Sequence, residues 1–354
     1  MNDLFDNQMV GGNVLTSKVD LDKILINLSQ ANDYKFTGES SFTVPQFMKP
    51  TDYNIGVIVG PSGTGKSSLL KDFGENTKFN YKPNKAIASQ VSLDLLMTMG
   101  LGTIPSLCRP YHVLSNGEKH RCDLAFALEN GDTVFDEFTS TVHRKLARSI
   151  CISLSKYLKA NDKQLVVATC HYDTAEWLEA DWVFDTFTKN LTTRGLERQP
   201  INFEINPCSP KAWKFFKDFH YLTADINKSA SCWVMSAGDS LVGFYAVLTF
   251  PSGNLKNAFR GHRLVIHPDY QGLGLSKQLS DYVASLYIND NKRFFAKTAH
   301  PKLGESRERS TRWKATSKNK KKRLDYKVIN KYDSKNKLTH KQRLTYSHEY
   351  IGEK

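Results

Sequence analysis

The chain has 354 residues, enough for about two domains, and its 40% hydrophobic and 24% charged residues suit a protein that buries a core. Fifteen Tyr, twenty Phe and five Trp exclude a disordered chain, and the lack of any run of about eighteen apolar residues excludes a membrane-spanning helix. The net charge of +13 is unevenly placed: residues 301–354 hold seventeen Lys or Arg against six Asp or Glu, which leaves +2 for the first 300. An acidic partner is therefore to be sought near the C-terminal end.

Residues 1–30 are polar and define no clear element, whereas 34–48 alternate in strand fashion through Phe36, Phe42 and Val44. The apolar run 56–59 predicts a buried strand, followed by a Gly-rich turn and a helix from about Lys66. Strand patterns at 133–135 and 164–169 flank a helical pattern at 143–158, so residues up to about 190 read as a mostly parallel α/β sheet. The polar stretch 190–200, with Gly195 and Pro200, divides the chain into domains 1–195 and 196–354. The second domain reads as α+β. Its pattern runs strand 201–205, helix 210–221, strands 231–236, 241–250 and 260–267, a Gly-rich turn, helix 276–288, and strands 294–298 and 344–351. Residues 317–337, rich in Lys and Asn, predict an exposed basic loop. The six cysteines (Cys108, Cys122, Cys151, Cys170, Cys208 and Cys232) form no CxxC pair and read as reduced thiols. With no secretory signal pattern at the start, a cytoplasmic protein is expected.

The first chemical motif is Gly60-Pro61-Ser62-Gly63-Thr64-Gly65-Lys66-Ser67, followed by Ser68. Glycines let backbone amides turn inward around phosphates, and the helix start adds its positive end. Lys66 would reach the β- and γ-phosphates, and the Ser67 hydroxyl would ligate Mg²⁺. Downstream, Asp136 and Glu137 close an apolar strand, where the first can hold Mg²⁺ and the second can polarise an attacking water.

Taken with Gln90, Leu114-Ser115-Asn116-Gly117-Glu118 and His171, this order resembles the ABC-class ATPases over about residues 30–190. The resemblance implies ATP and Mg²⁺ as ligands, with Gln90 as the Q-loop glutamine near the metal and His171 as the switch histidine. It also implies that Ser115 and Gly117 act on the γ-phosphate held by a second copy, hence a homodimer through the ATPase domain. The chain departs from the family at Phe138, usually Pro, and at His143, usually Asp, which puts communication between paired sites in doubt. The short interval between Lys66 and Ser115 leaves room for a small helical subdomain and none for coiled-coil arms. Phe36 and Phe42 are both candidates to stack on adenine.

The second motif is Val265-Ile266-His267-Pro268-Asp269-Tyr270-Gln271-Gly272-Leu273-Gly274-Leu275-Ser276, again strand, glycine turn and helix. Residues 200–354 resemble the GNAT acetyltransferase superfamily, with Ser276 replacing the usual Gly or Ala. The resemblance implies that amides from Gln271 to Ser276 bind the pyrophosphate of acetyl-CoA or another acyl-CoA. Acyl transfer to an amine needs a base. His262, His267, His300, Tyr346, His348 and Glu349 are candidates, of which Tyr346 and His348 are carried. As a whole the chain is similar to ABC-type ATPases fused to a predicted acetyltransferase domain.

The stretch Arg307, Arg309, Arg312, Lys314, Lys318, Lys320, Lys321, Lys322 and Arg323, within a basic segment 305–343, suggests nucleic-acid binding, with Trp313 and Tyr326 able to stack on bases. Three functions are compatible with these features. The first is an ATP-gated acyltransferase acting on nucleic acid. The second is an acetyltransferase for protein lysines or small amines with a regulatory ATPase, and the third is the ATP-binding subunit of a transporter.

Overall fold

A computed structural model describes residues 5–193, 195–220, 225–251, 255–320, 322–323 and 343–352. The chain forms two units of mixed α/β structure: residues 1–81 with 115–199, and residues 82–114 with 200–354. The sequence places the division at 195/196 and keeps 82–114 in the first domain. Packing groups that segment with the second instead, where the Gly102 N–H donates to Oε1 of Gln271 and Lys302 pairs with Asp94.

In the first unit β1 (Phe5–Val10) pairs antiparallel with β4 (Phe47–Pro50), and β2 (Val14–Lys18) with β3 (Glu39–Thr43). Helix α1 (Lys23–Ala31) joins β2 to β3, capped by Asp22. Then follow β5 (Ile55–Val59) and α2 (Lys66–Leu70). Helices α3 (Leu93–Thr98) and α4 (Ile104–Leu107) belong to the second unit. The first unit resumes with α5 (Asn116–Asn130), β6 (Val134–Phe135), α6 (Arg144–Ala160), β7 (Leu165–Thr169), α7 (Asp173–Leu178), β8 (Trp182–Asp185) and β9 (Asn190–Thr192). The sheet order is β6-β7-β5-β8-β9, parallel except for β9. Every residue of β5 and β7 is buried, as expected of central strands covered on both faces. Phe47 stacks on Phe184 at 4.1 Å between centroids and anchors β4 to this core.

The second unit continues with β10 (Glu204–Cys208), β11 (Ser231–Ala237), β12 (Ser240–Thr249), β13 (Ala258–Ile266), α8 (Leu275–Asn289), β14 (Arg293–Thr298), α9 (Pro301–Glu308) and β15 (Trp313–Ala315). Short β16 (Lys322–Arg323) pairs with β17 (Arg343–Leu344), and β18 (Tyr346–Tyr350) closes the chain. Its main sheet runs β10-β11-β12-β13-β14-β18-β15 among the described residues. The helix expected at 210–221 is instead two 3₁₀ turns, Pro210–Phe215 and Lys217–Phe219. Trp213, Phe216 and Phe219 recur every three residues and pack on one cluster with Phe244, a spacing that matches three residues per turn.

Two features of the second sheet shape its site. The parallel strands β13 and β14 pair only from Ala258–Arg293 to Arg260–Phe295. Beyond Arg260 their ladder stops. The pairing of β12 with β13 also skips a residue, going from Ala246–Arg263 to Val247–Gly261, so His262 is the bulged residue.

Candidate functional sites

The phosphate-loop residues follow the buried end of β5, and Lys66 is the first residue of α2. Gly65 has φ +87°, and a side chain there would strike the Phe42 ring, 2.9 Å from where its Cβ would sit. Only glycine meets both constraints. Lys66 Nζ donates to the Pro61 carbonyl at 2.6 Å, and the Thr64 hydroxyl is 2.6 Å from that of Thr186. These bonds tie the loop across its own turn and onto the strand end. Phe42 therefore faces the loop, whereas Phe36 stacks on Tyr34.

Asp136 and Glu137 follow β6, and His171 lies two residues past β7, so with the phosphate loop after β5 three adjacent parallel strands deliver these groups at their C-terminal ends. That edge is where open α/β sheets bind ligands. Asp136 accepts the Glu137 N–H at 2.8 Å, and Glu137 holds a left-handed φ of +49°, uncommon for a non-glycine residue. The buried Thr139 lies 3.4 Å from His171 Nδ1 and links the two strand ends. Burial, then Arg144, holds the His171 pKa below its ordinary value, which favours the neutral ring at neutral pH. The Ser67 hydroxyl and the Asp136 carboxylate are the hard oxygen donors that Mg²⁺ prefers, and a bound Mg²⁺ would neutralise charge on the phosphates. Gln90 is the remaining residue expected near the metal. It lies in the second unit, and its Oε1 accepts the Lys82 N–H at 2.7 Å while its Nε2 donates to the carbonyls of Lys82 and Lys85. The side chain thus braces its own turn.

Ser115 caps α5 in a reciprocal box with Glu118, which fixes the helix start. Gly117 packs against α6, where a Cβ would come 2.4 Å from Leu146. One turn on, His120 is 6% exposed and lies against Phe135 and Phe138. Burial lowers its pKa from 6.5 to about 4. The unfolded chain gains this proton below pH 6.5 and the folded one only near pH 4. Stability is therefore whole above 6.5 and falls as pH drops towards 4, by about 3 kcal/mol from this group. His120→Phe is expected to flatten the acid limb of stability, measured by denaturant unfolding between pH 7 and 4; an unchanged slope would show that His120 does not control it.

In the second unit Gly272 and Gly274 have φ of +90° and +81°, and Gly274 caps α8. Leu273 and Leu275 are buried, which fixes the turn with its glycines outward. Ser276 is the second residue of the helix. Gln271 braces the turn, its Nε2 donating to the Ile266 carbonyl at 3.0 Å. The turn thus sits at the end of β13, beyond its gap from β14.

The candidate bases separate clearly. His348 is 1% exposed, its Nε2 3.2 Å from the Asn319 side chain, and Tyr346 packs so closely on α9 that a Cβ on Gly304 would fall 2.2 Å from its ring. Both side chains of β18 are core, which corrects their expected catalytic placement. His267 caps the turn Pro268–Tyr270 and pairs with Asp269, while Glu349 pairs with Arg293. His300 caps α9. His262 remains, bulged beside the strand gap, with Nε2 buried and without a hydrogen-bond partner. Burial, then Arg263 and Arg260, lowers its pKa and keeps it neutral at pH 7. Its sequence signal is too slight to single it out.

The basic segment also needs correction. Arg307 is 2% exposed with its guanidinium 4.4 Å over the Trp313 ring, and Trp313 in turn donates to Asp281 at 2.7 Å. Both belong to the core, so neither can meet a polynucleotide. Arg309, Lys314, Lys318 and Lys320 are exposed and Arg312 is half-buried, while Lys321, Tyr326 and the side chains of Lys322 and Arg323 lie outside the described residues.

Comparison with known proteins gives one family match: residues 228–310 fit the model of an acetyltransferase (GNAT) domain. No curated protein matches. Among solved structures, a dimeric ATP-binding cassette in a post-hydrolysis state, bound to ADP and Pi, is 17% identical, with 50% of this chain and 94% of that chain covered and a TM-score of 0.35. The cassette cbiO1 from Clostridium perfringens, part of an ABC transporter complex, is 18% identical, covering 39% and 76% at a TM-score of 0.30. A Bacillus subtilis acetyltransferase in complex with CoA is 14% identical, covering 44% and 100% at a TM-score of 0.32.

Proposed function

We propose that the chain joins an ATPase to an acyl-CoA-dependent N-acyltransferase. The observation that carries the transferase half is the parting of β13 from β14, with the bulged His262 beside the opening and the glycine turn at its end. An extended pantetheine arm can pair with the free edge of β13, its pyrophosphate lying on the amides of residues 271–276. Neutral His262 takes the proton of the acceptor amine as its nitrogen attacks the thioester carbonyl. The carbon–sulfur bond then breaks, and the thiolate leaves and is protonated. In the ATPase half Lys66 holds the phosphates, Ser67 and Asp136 fit Mg²⁺, and Glu137 orients the attacking water. Ser115 and Gly117 of a second copy complete the site, which makes the working form a homodimer.

For the acceptor we favour a nucleic acid, on the basic excess of residues 301–354 that is left with Arg307 buried, including the exposed Arg309, Lys314, Lys318 and Lys320. No helix among the described residues is long and apolar enough to cross a membrane. The test mixes the protein with ATP·Mg, acetyl-CoA labelled on its acyl carbon, and cell extract. Label is expected in the nucleic-acid fraction; label in protein or small molecules instead would transfer the acceptor to those classes. His262→Gln should lower the transfer rate by about 10²–10³ while acetyl-CoA affinity stays within about threefold. An undiminished rate would remove His262 from the chemistry.

A further inference from the structure

Segment 82–114 leaves the first unit after Tyr81 and rejoins it at Ser115, while its body packs within the second unit. Both ends are therefore covalently joined to the unit that carries the phosphate loop. Three contacts fix the body within the second unit, one of them at the proposed acyl-CoA turn. The Gly102 N–H donates to Gln271 Oε1 at 3.3 Å, and the His300 ring lies against Gly102. Asp94 on α3 pairs with Lys302 on α9.

One of these contacts reaches the acyl loop at its first residue, Gln271. The Gln271 amide group is held at both ends, by the carbonyl of Ile266 at the close of β13 and by Gly102. Gly102 packs closely on both residues: a Cβ built there would be in ordinary contact with Gln271 Oε1 at 3.6 Å and His300 Nε2 at 3.7 Å. The front of the segment is stiffened by Gln90, whose amide group clasps the turn 82–86. A displacement at Tyr81 or Ser115 is thus carried through a braced segment to Gln271, the first residue of the glycine turn.

We propose that segment 82–114 is a coupling element that positions the acyl-CoA loop through Gly102 and so links acyl-CoA affinity to the nucleotide state of the ATPase unit. The inference rests on the two-ligand function proposed above. Nothing in the spacing of the sequence motifs announces it, since Gly102 and Gln271 are 169 residues apart. Linkage requires the effect to be reciprocal: whatever factor ATP imposes on acyl-CoA binding, acyl-CoA imposes on ATP binding.

Calorimetric titration of the full chain tests this, in a Glu137→Gln background so that ATP persists. The acetyl-CoA dissociation constant is expected to differ about five- to twentyfold with and without ATP·Mg, and the ATP constant to differ by the same factor with and without acetyl-CoA. His300→Leu, which keeps bulk but removes the ring nitrogen beside Gly102, should bring both ratios towards one while each ligand alone still binds. Asp94→Lys sets like charges together and should do the same. Adding Lys302→Asp to it should restore coupling, a recovery that general damage to the fold would not give. Ratios of one in the parent protein with both ligands bound would overturn the coupling and leave the two sites standing. So would ratios unchanged in both variants. Failure of either ligand to bind the parent would overturn the two-ligand function itself, and the coupling with it.

Discussion

Lys66→Ala is expected to weaken ATP binding by at least about 100-fold, corresponding to about 3 kcal/mol, the scale of one charge-assisted hydrogen bond between an ammonium and a phosphate. The ammonium already lies over the loop, bonded to the Pro61 carbonyl, so a nucleotide finds the cation in place and little ordering remains to be done. Glu137→Gln separates binding from chemistry. The amide keeps the side chain's size and its place on the left-handed backbone after Asp136, but it cannot accept the proton of water. ATP should bind within about threefold of the parent, while single-turnover hydrolysis falls by about 10²–10³ and the ATP-bound dimer accumulates. Filter binding and single-turnover rates check the pair; unchanged hydrolysis in both variants would place the nucleotide site elsewhere.

Gly274→Glu is expected to weaken acetyl-CoA binding by at least about 100-fold, while ATP binding stays as it was. A Cβ at this position meets no atom within 4 Å, so the side chain has room, and the cost to the fold is the backbone's φ of +81°, about 1–2 kcal/mol. The added carboxylate would stand at the start of α8, where the amides turn outward, and repel the pyrophosphate by like charge. Equilibrium dialysis with acetyl-CoA measures the loss, and circular dichroism separates it from unfolding. Retained affinity would show that the glycine turn is not the phosphate cradle.

Much of the first site is legible in the sequence because its chemistry is local. The phosphate loop is a contiguous run between a strand and a helix, and the acidic pair ends an apolar strand, so period and composition place both. Three-dimensional context decides the rest. The bulge that singles out His262 exists only in the register between β12 and β13, which one strand read alone cannot reveal. His348 and Tyr346 alternate along β18 with half-buried residues, and the covering helix α9, unforeseen between residues 301 and 308, decides that they face the core. Arg307 sits in a run of basic residues that reads as solvated surface, yet the ring of Trp313 below it and the carboxylate of Asp281 beyond give it an interior place. Segment 82–114 lies between two ATPase motifs, and its lodging with the second unit comes from long-range contacts that carry no local pattern.

Two distinct phosphate cradles in one chain are best tested by a pair of binding stoichiometries on one sample. Full-length Glu137→Gln protein is titrated with ATP·Mg and then with acetyl-CoA, and the same titrations are repeated with Lys66→Ala or Gly274→Glu added. One equivalent of each ligand per chain is expected, the first lost only with Lys66→Ala and the second only with Gly274→Glu. Loss of both ligands in either variant, or of neither in both, would contradict the assignment.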